Sequence, residues 1–221
     1  MNLETHAVSL DANHSNGFYQ VDTHSYMGSL EVKATNDWFN SQAKRTFIIE
    51  RSSVAGMGKF GSRWLGDNES KEKHMGYSVS GIMLMNMFGI PLSGVDICGF
   101  GGNTTPELCA RWHVVGSYYP FSRNHNALGS TPQEPYVFTG DYEPGHSYLS
   151  IMRDAINNKY KLVRYYYTNL FLLSVSTDPQ KPFYKPVFFS FPEDRNTYVN
   201  ITYNVMLGDS LKLSVNSDTL G

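Results

Sequence analysis

The sequence contains few of the residues that would hold a metal ion. Only two of its 221 residues are cysteines, Cys98 and Cys109. No Cys-x-x-Cys or His-x-x-x-His spacing is present, which argues against a structural zinc site, because such a site needs about four ligands. Composition alone leaves two alternatives for the cysteines, a pair of buried thiols or one local disulfide.

The sequence also lacks the runs that mark membrane helices, export signals and nucleic-acid binding. No apolar run approaches the roughly 20 residues of a membrane helix, and the first residues show neither the charged nor the apolar part of a signal peptide. The formal net charge is −2, and lysine and arginine form no cluster. We therefore expect no membrane segment in this chain and no nucleic-acid partner.

What the sequence does contain is an alternation of strand-like and helix-like segments. Apolar spacing predicts helices over 29–39, 70–88 and 148–174, and Thr105-Pro106-Glu107 has the residues of a helix start. Short apolar runs at 46–50, 92–97 and 135–138 predict strands, the first two of the fully buried kind. Four successive βα units indicate an α/β fold with a parallel sheet, about half of the eight units in a closed TIM (β/α)8 barrel.

The pattern changes near residue 180, after a segment with two prolines. Beyond it, the runs 184–191, 198–207 and 211–215 are strand-like and separated by turns. We therefore predict a partial barrel over residues 1–180 and, over 181–221, the start of an antiparallel β-sandwich domain.

Three clusters place polar side chains beside aromatic ones, directly after predicted strands or in the loops that follow: residues 63–68, 94–100 and 121–126. In βα barrels, active-site residues lie at the carboxyl ends of the strands. Carboxylates for proton transfer beside aromatic platforms are typical of sugar sites. Ordinary structural roles remain open at this point, such as a helix-capping aspartate for Asp67, a core tryptophan for Trp64 and an ion pair for Arg51.

Seven segments in register along almost the whole chain resemble glycoside hydrolase family 31 α-glucosidases of the lysosomal acid and intestinal maltase type. The resemblance covers the C-terminal half of the catalytic barrel, about its last four βα units, and the start of the following β-sandwich. The matching segments are 8–12 (VSLDA), 24–28 (HSYMG), 51–56 (RSSVAG), 64–68 (WLGDN), 96–100 (DICGF), 121–126 (FSRNHN) and 189–194 (FSFPED).

The resemblance implies a catalytic role for Asp67, as the general acid/base that protonates the leaving oxygen and later takes a proton from water. It implies that Trp64 forms a wall of the pocket for the terminal glucose. Arg51 and His125 would then hydrogen-bond to sugar hydroxyls.

Two further substrate-binding residues follow from the same resemblance. Asp96 would face the pocket beside Phe100, which would form a hydrophobic wall. Asp96 could contact the sugar directly or orient Arg51 by charge-assisted hydrogen bonds.

The resemblance also implies a Cys98–Cys109 disulfide, and with it an oxidising location, lysosomal or secreted. The implied substrate is an α-glucoside oligosaccharide, and no metal or organic cofactor is implied.

A retaining glycosidase needs a second carboxylate about 5 Å from the first. The resemblance locates it in a Trp-x-Asp-Met-Asn-Glu run that this sequence does not contain. We therefore expect a fragment of a retaining α-glucosidase that lacks the nucleophile and the N-terminal half of the barrel. The alternative is a catalytically inactive fragment or pseudoenzyme with a partial sugar site.

Overall fold

The computed structural model describes residues 8–176, 182–199 and 201–215. The chain divides into two compact units, Met1–Ser62 and Arg63–Gly221. The domain boundary predicted near residue 180 lies outside the described residues. None of the helices among the described residues has the length and apolar character needed to cross a bilayer.

The first unit is built around one amphipathic helix. After the short helix α1, Gln20–Thr23, and a 3-10 turn, His24–Tyr26, the helix α2 spans Met27–Ser41, which confirms the helix predicted over 29–39. The Asn36 side-chain amide donates to Thr46 Oγ1 at 3.1 Å and to the Phe60 carbonyl at 3.1 Å. These bonds fix α2 against the chain segments that enter and leave the strand region.

The strand predicted over 46–50 is shorter than expected and is not fully buried. Only β1, Ile49–Glu50, is a strand, and its two residues are half-buried. Phe47 is 68% exposed. The prediction of a fully buried strand is wrong, since Ile49 and Glu50 are only half-buried and Phe47 is exposed.

The second unit contains three long helices, and all three confirm the sequence prediction. They are α3, Glu72–Met87, α4, Pro106–Gly116, and α5, Tyr148–Val175. The start of α4 is capped by Thr105, whose hydroxyl oxygen accepts from Leu108 N at 3.2 Å. Ser147 caps α5 in the same way, with Ser150 N as the donor at 3.1 Å.

Short parallel strands carry the loops between these helices. β2, Ser62–Trp64, pairs with β3, Ser93–Gly94, and β4, Asp96–Ile97, pairs with β5, Arg123–Asn124. The predicted strand 92–97 is therefore interrupted at one residue, and its two halves pair with different neighbours. The described strands do not form a closed barrel.

The prediction of a strand over 135–138 is wrong. Residues Pro135–Val137 form a 3-10 turn, closed by a bond from Val137 N to the Glu134 carbonyl at 3.0 Å. Pro135 occupies the first position of this turn, where its missing N–H costs nothing. An antiparallel hairpin, β6, Asp141–Glu143, and β7, His146–Ser147, follows before α5.

Three antiparallel strands follow α5. They are β8, Tyr184–Pro186, β9, Asn204–Leu207, and β10, Leu211–Ser214, with β9 in the centre. The antiparallel character is confirmed, but the predicted runs 184–191 and 198–207 are shortened by 3-10 turns at Val187–Phe189, Arg195–Tyr198 and Ile201–Tyr203. Buried residues of β8 and β9 join the same hydrophobic core as residues of α3, α4 and α5.

Candidate active site

Three loops of the second unit follow the carboxyl ends of parallel strands. The first loop, residues 65–70, follows β2. The second loop, residues 98–102, follows β4, and the third loop, residues 125–133, follows β5. Five of the six predicted catalytic and substrate-binding residues lie in these loops or in the last residues of the strands before them. The sixth, Arg51, lies in the first unit, directly after β1, and is exposed.

Asn68 joins the first loop to the second. Its side-chain Nδ2 donates to the Asp96 carbonyl at 2.9 Å, and its own carbonyl accepts from Phe100 N at 2.9 Å and Gly101 N at 2.8 Å. Gly99 makes this close approach possible. It has a φ of +89°, and a Cβ there would lie 2.4 Å from Ser70 N, so only glycine satisfies both the conformation and the contact.

Gln133 joins the second loop to the third. The residue is 2% exposed, and its Nε2 lies 3.2 Å from the Gly99 carbonyl and 3.0 Å from the His125 carbonyl. Its backbone carbonyl accepts from Asn124 Nδ2 at 2.8 Å. Neither Gln133 nor Asn68 was predicted as a site residue. Asn68 was part of a recognised segment, whereas Gln133 is a single amide side chain in a polar loop, with no pattern that distinguishes it.

The disulfide between Cys98 and Cys109 is present, as predicted. It ties the second loop to α4. His113, one turn further along α4, donates from Nδ1 to the Cys109 carbonyl at 2.8 Å, and burial lowers the pKa of its imidazole. The ligand atoms of these three residues lie within 4.8 Å of one another. With both sulfurs in the disulfide, however, there is no thiolate to bind a metal ion.

Asp96 is the buried charge of the site. Its carboxylate is fully buried, and Oδ1 accepts from Arg123 Nε at 3.0 Å and Nη2 at 2.5 Å, whereas Oδ2 takes no hydrogen bond from Arg123. Burial raises the pKa of Asp96, and this outweighs the opposing effects of the Arg123 guanidinium and, more weakly, of His125 and Trp64. The site therefore holds a carboxylate with one oxygen fixed.

Arg123 also contacts the aromatic part of the site. Its guanidinium carbon lies 4.7 Å from the ring centroid of Trp64 and 5.9 Å from that of Phe121. A planar guanidinium can hydrogen-bond in its plane to a carboxylate while stacking on an aromatic face. Arg123 thus positions both Asp96 and Trp64. It was part of a recognised segment but was not predicted as a site residue.

His125 and Phe100 complete the group around Asp96. Their ring centroids are 5.3 Å apart with an interplanar angle of 34°, and Ala127 N donates to the Phe100 carbonyl at 3.0 Å. The structure thus brings together Trp64, Asp96, Phe100 and His125.

Asp67 lies in the middle of the first loop. It is exposed, whereas Gly66 before it is buried and Asn68 after it is fixed to the second loop. The residues on both sides of Asp67 are therefore held in place. A carboxylate in this position is open to solvent and to a ligand entering over the strand ends.

Parallel strands followed by helices, with polar and aromatic residues at the strand ends, place the second unit among βα-repeat domains whose sites lie at that edge. The family profile described as the glycosyl hydrolases family 31 TIM-barrel domain matches residues 2–169. The chain therefore belongs to glycoside hydrolase family 31.

Individual proteins agree with this assignment. The chain is 42% identical over 194 residues to the lysosomal acid alpha-glucosidase of Tetrahymena pyriformis, covering 87% of this chain and 20% of that protein. The structure superposes on the family 31 alpha-glucosidase of Bacteroides thetaiotaomicron with a TM-score of 0.76 and 32% identity, covering 90% of this chain and 33% of the other. The chain spans about a fifth of the length of the curated relatives it matches.

Proposed function

We propose that the polypeptide carrying these residues is a retaining α-glucosidase that removes terminal α-linked glucose from oligosaccharides, with Asp67 as general acid/base. The observation that carries this proposal is the intact segment 64–68 in a chain of this family, with Asp67 exposed on a loop at the strand ends. Asn68 fixes the same loop to the Asp96 backbone, which gives a proton-transfer group a defined position relative to the buried carboxylate.

Asp67 would act twice in this mechanism. It first donates its proton to the glycosidic oxygen, so that the aglycone leaves as a neutral alcohol. It then takes a proton from the water that attacks the glucosyl intermediate. The proton taken from the water restores the acid form, so the proton balance of the cycle closes.

The residues around Asp96 would hold the glucose ring. Because Arg123 occupies only Oδ1 of Asp96, Oδ2 would accept a hydrogen bond from a sugar hydroxyl. Trp64 and Phe100 would form apolar walls, and His125 would bind a further hydroxyl. Arg51 is proposed for another hydroxyl on the basis of the family segment alone.

The nucleophile must come from another carboxylate. The Trp-x-Asp-Met-Asn-Glu run is absent from these 221 residues, so we propose that a further part of the polypeptide supplies it, together with the rest of the barrel. The same absence favours the second candidate function, a catalytically inactive chain with a partial sugar site. The two differ in one measurement, α-glucosidase turnover by the complete polypeptide, which the first candidate predicts and the second does not.

We also propose that residues 1–180 form about the last four βα units of the barrel, and that residues 181–221 begin a β-sandwich. The antiparallel sheet β8–β10 supports the second part.

The disulfide supports an oxidising compartment, and relatives include the lysosomal alpha-glucosidase of Bos taurus, 39% identical. A lysosomal or secreted location follows as a proposal.

The experiment is Asp67→Asn in the complete polypeptide, assayed with an aryl α-glucoside. General acid–base catalysis contributes about 10²- to 10⁴-fold, so kcat/KM should fall by that order for an aryl group that leaves poorly. It should fall much less for a nitrophenyl group, which leaves without protonation. Asp141→Asn, an exposed aspartate in the β6–β7 hairpin, is the matched control. Near-normal turnover of both substrates by Asp67→Asn would overturn the catalytic assignment.

A further inference from the structure

A partly buried amine on α5 is not among the residues proposed to bind the sugar. Lys159 Nζ donates a hydrogen bond to the Tyr119 carbonyl and lies 4.3 Å from the ring centroid of Tyr166. Tyr166 is itself 4% exposed, and its hydroxyl donates to the Tyr118 carbonyl at 2.6 Å. These contacts hold the Lys159 amine on the inner side of the helix.

No acidic group neutralises this amine among the residues that the structure describes. The titratable groups that face it are His113 from α4, Tyr119 from the following loop, Arg123 from β5, and the tyrosines of α5 itself. Arg123 is already engaged by Asp96. Burial without a compensating carboxylate lowers the pKa of Lys159 from 10.5 to about 8, so much of it is a free amine in mildly basic solution.

The amine borders a cavity of about 380 Å³. This volume lies within the range of small-molecule pockets, about 300–1,000 Å³. Its lining combines apolar side chains with polar and charged ones, among them Ile156, Val163, His113, Ser122, Arg123 and Lys159. A small polar molecule can therefore reach the amine without unfolding the helix.

We propose that Lys159 is a modification site at which this protein condenses with small aldehydes, including aldoses in their open-chain form. The amine nitrogen adds to the aldehyde carbon to give a carbinolamine. Loss of water from the carbinolamine then gives the imine, with no oxidant or reductant involved. This chemistry is independent of the role of Asp67.

The test is reductive trapping of the imine in the complete polypeptide. The protein is incubated with isotope-labelled glucose and cyanoborohydride, which reduces the imine to a secondary amine, and each lysine's occupancy is read by peptide mass spectrometry. Lys161 is the internal control, because it lies on the same helix and is exposed, with Nζ 3.1 Å from Asn158 Oδ1. At a pH of about 8, Lys159 has on the order of a hundredfold more free amine than an ordinary lysine.

We expect labelling of Lys159 to exceed that of Lys161 by at least about tenfold at that pH, and to level off at higher pH. Ile156→Trp, which fills the cavity from a partly exposed position, should suppress labelling of Lys159 and leave that of Lys161 unchanged. Equal labelling of the two lysines in the folded protein would overturn the proposal. So would Lys159 labelling that Ile156→Trp does not change.

Discussion

Replacement of Arg123 by glutamine tests how the site keeps a buried carboxylate. The substitution removes both hydrogen bonds to Asp96 Oδ1 and the contact with Trp64, while Asp96 stays fully buried. Leaving one partner of a buried ion pair unpaired costs about 3–5 kcal/mol. Because the Arg123 side chain is 34% exposed, solvent screens part of the interaction, and we expect a loss of about 2–3 kcal/mol at neutral pH.

The pH dependence gives this expectation a specific signature. The folded-state pKa of Asp96 is already raised above its ordinary value of 3.8, and loss of the guanidinium raises it further. For a carboxyl group with a raised folded-state pKa, the favourable contribution is fully present below the unfolded pKa and is lost as the pH rises through the folded pKa. The destabilisation by Arg123→Gln should therefore shrink as the pH is lowered towards 4.

The assay is urea unfolding of the complete polypeptide across this pH range, with wild type and three variants in a double-mutant cycle. Asp96→Asn removes the charge that needs a partner, so Arg123→Gln should cost much less when Asp96 is already asparagine. A loss of stability that is the same at every pH would refute the reasoning. A cycle in which the two substitutions simply add would refute it equally.

Three further predictions concern stability. Lys159→Met should stabilise the fold at neutral pH by about 1–3 kcal/mol, because one pKa unit corresponds to about 1.4 kcal/mol. Wild-type stability should rise with pH between the folded pKa of about 8 and the unfolded value of 10.5. In the same unfolding titrations, Lys161→Met should neither stabilise the fold nor change this rise. Gly99→Ala should lower the melting temperature far more than Gly102→Ala, because both glycines have positive φ but only at Gly99 would a Cβ meet other atoms. Equal effects of the two substitutions would show that the loop contact is unimportant. Reduction of the disulfide should cost about 2–3 kcal/mol by loop entropy, measured by calorimetry with and without a reductant; an unchanged transition would contradict this.

The sequence predicts the long helices well because each one carries its own signal. α5 has apolar residues three and four apart over its whole length, and α4 has Thr105 and Pro106 at its start. The strands are harder to predict. They are only two to four residues long in the structure, so pairing with neighbours decides their ends, and the apolar run at 135–138 forms a turn because Pro135 fits the start of one.

The family segments predicted the site residues, but they did not predict which of these residues contact one another. The resemblance offered Arg51 as a possible partner for Asp96. The structure shows that Arg123 bonds to Asp96, and the strand of Arg123 pairs directly with that of Asp96. That pairing depends on sheet register, which a single sequence does not encode locally. The catalytic role of Asp67 and the substrate-binding roles of the other predicted residues stay predictions, for Arg51, Trp64, Asp96, Phe100 and His125 alike.

The loops around the proposed sugar site are held together by two amide side chains that bond largely to main-chain atoms. Asn68 bonds to backbone atoms of Asp96 and Phe100, and Gln133 lies against the backbone carbonyls of Gly99 and His125. Apart from these two amides, Gly99 and Cys98, such a scaffold does not depend on which side chains its loops display. Ligand preference could thus be re-engineered at the loop surface, by saturation mutagenesis, without loss of the frame that aligns it.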